Sequence, residues 1–541
     1  MRVIVAILVA GLLFRQQPAP IRVNVRLVQV NVIARDSSGG PITDLTKDDF
    51  ELFDNGKPQA VSFFALEAPV TSFNPPTPLP EHVFSNRLEN NGNVTRGVTI
   101  VLFDFLNSHF TDQAAAKKQL IGVLRQIQPG QRIGVYLLGR KVSVLYDFTD
   151  HPSELDGVLA RLEGQEPHEL ITAQGDAGER PADLSAARGQ FDEAERLLNG
   201  NINVEQDYFN IDRATVTLRA FESIANHVAP CPGRKTLVWI SGSFPFTLGV
   251  TQQDFESLAS DSPNRERGSF QSLFDSAMRA VNNADLAIYP VDARGLIPSG
   301  GYDPGSAAGF SRKKAQNTPS FRPPNLDSME NLANKSGGRA FFNSNDLQKA
   351  INAALDDGRV SYTLGFYATS KPDNKFHSLK VQVRRKNANL RYRQDYLASG
   401  QAPGGTDPKA MLQEALAAQV EATSIGITAK LEIPQAKNGS WNLITSLDPR
   451  DLAMEQQGQK WVGHLQIVYS VQAETGKELG GLLDKVDLDL KPESWNEIVA
   501  KGLILQKKFN PPANAVKVRV AVYDAFTGRI GSISVPLRQT K

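Results

Sequence analysis

The chain has 541 residues, length for about three or four domains, and its 41% hydrophobic content excludes a wholly disordered protein. Its 59 basic residues balance 58 acidic ones, so no field for nucleic acid or an anionic membrane surface is present. The single cysteine, Cys231, excludes an intramolecular disulfide; with no histidine at matched spacing it reads as a loop residue, not a nucleophile.

Taken in chain order, Arg2 precedes an apolar run, Val3–Phe14, that is short of the roughly 20 residues a membrane span needs. It has the length of a signal-peptide core, with a buried first strand as the alternative. Val23–Ile33 is rich in strand formers. Phe50–Phe53 and Gln59–Phe64 flank Asp54-Asn55-Gly56, a tight hairpin turn. Four prolines in Phe73–Pro80 read as a linker.

An α/β alternation follows. Val98–Phe103 is a continuous apolar run, as a parallel strand covered on both faces requires, Ile133–Leu138 is the next buried strand, and Thr236–Ile240, Leu286–Val291 and Arg339–Phe342 read as further strands. Between them helical spacing appears from Asp112 to Ile127, then over Glu154–Leu162, Ala214–Val228, Phe270–Val281, Asp327–Ala333 and Asp346–Leu355. Two insertions interrupt the pattern: Gly164–Gln206, with an amphipathic helix on Leu184, Ala187, Phe191, Ala194 and Leu198, and the Gly/Ser/Pro-rich Gly295–Pro324. β patterning returns at Tyr362–Tyr367, His377–Arg385 and Leu390–Tyr396, a helix is expected near Lys409–Val420, and strand-like stretches continue to Leu537.

The expected architecture is therefore a doubly wound α/β domain flanked by β-sandwich domains. Residues 1–20 are a signal peptide or membrane anchor. Residues 21–72 are strands of a sandwich completed by 358–398, since a three- or four-stranded sheet leaves one face open. Residues 73–96 are a linker, 97–357 the α/β domain, 399–424 a linker and helix, and 425–541 a second sandwich.

In an open doubly wound sheet, ligands bind at the carboxyl ends of strands near a switch in strand order. The first buried strand ends in Asp104-Phe-Leu-Asn-Ser108, followed by His109, and a later one in Ile240-Ser241-Gly242. Asp104, Asn107, Ser108, His109 and Ser241 are the candidate binding face. Asp104 either caps the following turn or, with Ser108 and Asn107, holds a hydrated cation; as a turn cap, its replacement by alanine should cost about 1 kcal/mol. Enzyme signatures are sparse. The seven histidines form no His-x-x-x-His pair, and there is no Gly-x-Ser-x-Gly elbow or phosphate-binding Gly-Lys-Ser/Thr. Ser241 and Ser243 stand where a hydrolase would place a nucleophile, but no base can be assigned to either.

Here the sequence resembles the von Willebrand factor A family, whose metal-ion-dependent adhesion site begins with Asp-x-Ser-x-Ser after the first buried strand. Asp104 and Ser108 match, and Leu106 replaces the middle serine. Ser241 stands where the family has the acid of a Thr-Asp-Gly turn, and Thr215 and Thr217 are candidates for its threonine. Val32–Asp36, Pro41–Phe50, Leu102–Ser108, Pro232–Gly242, Ser336–Phe341 and Ser361–Tyr367 further resemble bacterial VWFA-related proteins of the acidobacterial kind, over about residues 21–398. The resemblance implies an exported protein with a degenerate metal site at Asp104 and Ser108, binding Mg²⁺ or Ca²⁺ weakly or not at all. The resulting expectation is a non-catalytic adhesion or scaffold module, periplasmic or secreted. It would engage a protein partner at the Asp104 face and bind no nucleic acid or small-molecule cofactor, with a membrane tether possible through the N-terminal segment. The alternatives are an extracytoplasmic hydrolase using Ser241 or His109, and a structural envelope subunit.

Overall fold

The computed structural model describes residues 27–67, 79–87, 97–124, 133–149, 192–231, 233–242, 244, 264–294, 324–342, 347–368, 373, 375–398, 407–418, 420–434 and 439–537. The Val3–Phe14 run, the helix expected at Glu154–Leu162, Ser243 and the insertion at Gly295–Pro324 except its last residue lie outside them.

The chain enters as β1 (Leu27–Arg35), β2 (Phe50–Asp54), β3 (Lys57–Gln59), β4 (Phe63–Glu67) and β5 (Val83–Ser85). Asp54 faces Lys57 across the hairpin, and Asn55 and Gly56 have φ of 46° and 77°. Two positive φ values define a turn whose twist matches that of the strands, and Asn-Gly tolerates it best.

The α/β region then runs β6 (Thr99–Asp104), α1 (Phe110–Leu124), β7 (Ile133–Leu138), β8 (Val142–Thr149), α2 (Asp192–Val228), β9 (Lys235–Ser241), α3 (Asn264–Asn283), β10 (Leu286–Asp292), α4 (Pro324–Ser336) and α5 (Leu347–Arg359). The sheet order is β10-β9-β6-β7-β8, with only β8 antiparallel, and Phe341 bridges Val291 in parallel beyond β10. Strand order thus reverses beside β6. Both faces are covered: Ile100, Leu102 and Trp239 pack with Leu218, Phe221 and Met278 on one side, while Val101, Phe103 and Ile240 pack with Leu120 and Ile351 on the other. That is why β6 is apolar without alternation and buried throughout. The expected break between an insertion helix and Ala214–Val228 is absent: α2 is one helix of 37 residues, about 55 Å long. It contains no proline, and Gly200 alone costs a helix only about 1 kcal/mol. Leu184, Ala187 and Phe191 lie outside the described residues.

Beyond it come β11 (Ser361–Tyr367), β12 (Phe376–Val383), β13 (Asn389–Arg391) and β14 (Asp395–Leu397). They pair back to the first strands, giving the sheets β13-β1-β11-β4 and β14-β12-β2-β3. Both sheets contribute to one core that includes Val30, Val32, Leu52, Tyr362, Leu364, Phe366 and Val381. Buried Tyr362 donates to the Ile42 carbonyl (2.9 Å) and accepts from the Leu45 N–H (3.1 Å), tying down the loop between β1 and β2.

The last region contains α6 (Pro408–Ala417), β15 (Ile427–Glu432), β16 (Trp441–Leu447), β17 (Glu455–Gln457), β18 (Lys460–Gln472), β19 (Glu478–Leu490), α7 (Pro492–Lys501), β20 (Leu503–Phe509), β21 (Lys517–Asp524) and β22 (Ile530–Pro536). The order of one sheet is β20-β16-β15-β5, so residues 73–96 are not simply a linker: Val83–Ser85 is an edge strand of this region. Buried Asn86 fixes the crossing, its amide nitrogen donating to the Ala422 and Ile425 carbonyls and its oxygen accepting from Ile427 N–H (2.9, 2.9 and 2.7 Å). Thr423 caps the end of α2, giving its N–H to the Asn226 carbonyl (3.0 Å) and its hydroxyl to that of His227 (2.6 Å). Those carbonyls lack partners within the helix.

Candidate functional site

Asp104 ends β6 at the reversal of strand order, where β6 lies between β9 and β7. Its Oδ1 accepts from the Asn107 N–H (2.9 Å). Its Oδ2 accepts from Asn107 Nδ2 (2.8 Å), Trp239 Nε1 (2.9 Å) and the Ser241 hydroxyl (2.8 Å). Trp239 and Ser241 share a side of β9 because they are two residues apart. Asp104 is 1% exposed, and burial pushes its carboxyl upward against the pull of these donors.

The segment after β6 folds back instead of projecting. Phe105 and Leu106 give their N–H groups to the Leu138 carbonyl (2.9 and 3.1 Å), and their side chains enter the cores on opposite faces of the sheet. Ser108 Oγ accepts from Gly242 N–H (2.8 Å), and Gln113 Nε2 donates to the Ser108 carbonyl (2.8 Å). A Cβ on Gly242 would lie 2.8 Å from the Asn107 carbonyl oxygen, so the two strand ends approach too closely for a side chain there. Thr217, of the two threonine candidates, belongs to the cluster: its hydroxyl accepts from Asn107 Nδ2 (2.9 Å) and donates to the Arg213 carbonyl (2.8 Å).

Asp104, Asn107, Ser108, His109 and Ser241 are thus brought to one strand-end region, but not as an exposed face. Asp104, Asn107, Ser108 and Ser241 are buried, and only His109 is half-exposed. His109 lies within electrostatic reach of Asp112, whose carboxyl is raised by burial and lowered by His109 and Arg294. Arg294 forks onto Asp292 (2.9 Å for each nitrogen), and Phe110 is 49% exposed.

A divalent cation does not fit this arrangement. Mg²⁺ and Ca²⁺ need several oxygen ligands, carboxylates among them. Leu106 supplies a packed alkyl group, Ser241 points its proton at Asp104, and Ser108 Oγ already accepts a backbone N–H. Among the described residues no group of three His, Cys, Asp or Glu side chains could hold a metal. Asn107 Oδ1 is the one buried acceptor of the cluster without a hydrogen-bond partner. Trp239 was missed by sequence reasoning; its i, i+2 relation to Ser241 beside Asp104 was the available signal.

A second meeting of acid and imidazole, unread in the sequence, lies between β2 and β12. His377 Nδ1 is 2.9 Å from Asp54 Oδ1 and its Nε2 is 3.2 Å from Asp373. Tyr396 donates to the other Asp54 oxygen (3.0 Å). Asp54 and His377 are buried, and the cluster ties strands together.

No protein-family model matches the chain, and no curated protein is similar to it in sequence. Solved structures to which it is similar include an aerotolerance-related membrane protein from Bacteroides fragilis NCTC 9343 (12% identity, 48% of this chain and 98% of that one, TM-score 0.25). A von Willebrand factor type A structure from Catenulispora acidiphila is 8% identical over 66% of this chain and 80% of that one, with a TM-score of 0.26. The pilus adhesin SpaC from Lactobacillus rhamnosus GG is 9% identical over 94% and 62%, with a TM-score of 0.26. Similarity of this size decides neither fold nor function. The α/β class rests on the strand order and the two covered faces.

Proposed function

We propose that the α/β region is a von Willebrand factor A-like protein-binding module, exported from the cytoplasm, whose adhesion site has become a metal-free hydrogen-bonded floor. The observation that carries this reading is the saturation of Asp104 by four donors; just after it in the chain come half-exposed His109, exposed Phe110 and then Asp112, the last within electrostatic reach of His109 and Arg294. An exposed aromatic and an arginine beside a sealed polar floor are features of a contact surface. Catalysis fits less well, because Ser241 is 0% exposed and its hydroxyl hydrogen is held by Asp104. The apolar Val3–Phe14 run supports export.

The experiment is capture of partners from envelope extract by the full chain, by Phe110→Ala and Arg294→Ala, and by wild type in chelator. Loss of a reproducible partner in the two variants, with chelator harmless, is the expected result. Capture that chelator abolishes, or that both variants retain, would overturn the reading.

A further inference from the structure

Where the three regions meet, a cleft of about 680 Å³ opens, a size typical of small-molecule sites. Its walls come from the first two-sheet region, from α2 and α3, and from the last region, and four arginines line it: Arg87, which is paired with Asp448 and Asp451, and Arg279, Arg393 and Arg529, one from each of three parts of the chain. Arg393 donates to the carbonyls of Asn282 (3.0 Å) and Gln29. Arg529 is exposed and donates to the Asp451 carbonyl (3.3 Å), and Arg279 stands near Glu222. The acids of the same walls are largely spoken for. Asp451 accepts from Arg87 and from Gly426 N–H, Glu222 accepts from the Ser276 hydroxyl (3.0 Å), and Asp285 lies near buried Lys235. Burial raises the Glu222 carboxyl above its ordinary value.

We propose that this cleft binds a small organic anion, its carboxylate or phosphate groups held by Arg279, Arg393 and Arg529. Guanidinium forks match both groups in shape, and their paired N–H donors hold a planar carboxylate or a phosphate edge. A bound anion would also bridge the regions, so binding should stabilise the whole chain against unfolding. The site shares no residue with the proposed contact surface and needs none of them.

The test uses the full chain with citrate and with pyrophosphate as probes, in calorimetry and thermal unfolding, against sodium chloride at equal ionic strength. Saturable sub-millimolar binding of either probe, weakened at least tenfold in the Arg279→Gln/Arg529→Gln variant, is the expected result; which probe binds identifies carboxylate or phosphate as the recognised group. Should the double variant fail to fold, Arg529→Gln alone replaces it, since that side chain is exposed and makes one long carbonyl contact. Stabilisation no greater than that of chloride for both probes, or unchanged affinity in the folded variant, would overturn the proposal.

Discussion

At Asp104 the decisive quantity is the number of donors that depend on one carboxylate. Replacement by alanine leaves the Trp239 indole N–H, the Ser241 hydroxyl and two Asn107 donors without their acceptor in a buried site. Each stranded buried polar group costs about 1–3 kcal/mol. Asp104→Ala should therefore destabilise by roughly 3–5 kcal/mol, well above the single-bond figure that turn capping implies. Denaturant titration followed by tryptophan fluorescence measures it, and a loss below about 1 kcal/mol would mean that the network relaxes freely. A second residue-scale effect concerns Glu414 on α6, which burial and the nearby Glu222 push up to about 7. Its folded pKa lies above the unfolded value, so its contribution is complete below the unfolded carboxylate pKa and is lost as pH rises through about 7. The thermal midpoint should accordingly fall between pH 5 and 8, and Glu414→Gln should flatten that slope. An equal slope in the variant would assign the effect to other groups.

Among elements, the joint between α5 and the first two-sheet region turns on one acid. Asp357 accepts from Arg35 (2.9 and 2.8 Å), from the Tyr289 hydroxyl (3.2 Å) and from Arg391, and its side chain is 4% exposed. Removing it leaves two guanidinium groups facing each other, and breaking a buried pair costs roughly 3–5 kcal/mol. Asp357→Ala should thus unfold at clearly lower denaturant, while Asp356→Ala, whose partner Arg359 is exposed, should change stability by no more than about 0.5 kcal/mol. Elements also mark the limit of sequence reading. Thr99–Asp104 was legible within one residue because both of its faces are buried and its run is uniformly apolar. Val83–Ser85 was not, since three residues carry no periodicity and their partners lie in Thr428–Lys430. Helix α7 had usable signals, Pro492 at its start, Gly502 with φ 86° at its end and Trp495, Ile498 and Val499 at helical spacing between them, but at ten residues it spans fewer than three turns and fully buries no residue. The site residues were legible as a group because they sit at strand ends. Their burial was not, because it follows from Leu138 on a neighbouring strand and from the close passage of Gly242.

For the molecule as a whole, the stretch around β5 makes the last region dependent on the first. Its edge strand, its Asn86 crossing and the Arg87 ion pairs with Asp448 and Asp451 all come from residues before the α/β region. A fragment of residues 407–541 should lack cooperative unfolding, and fusing residues 79–87 to it should restore a sharp transition. Calorimetry of the two fragments decides the point; a cooperative melt of the bare fragment would make β5 dispensable. Asn86→Ala in the full chain should cost about 2–3 kcal/mol through three lost hydrogen bonds.

The pairing of β1 with β11 has a consequence for biosynthesis. Ile42 waits for a hydroxyl 320 positions further along, and Val30 for Leu364. At about 5–20 residues per second, the ribosome needs roughly 16–64 s to supply that partner. During this interval the α/β region can complete its own sheet, while the strands made first remain apolar, extended and uncovered. The nascent chain should therefore need a holding chaperone from the time β1 emerges until β11 does. Stalling translation before residue 361 should leave β1 open to protease and β6 protected.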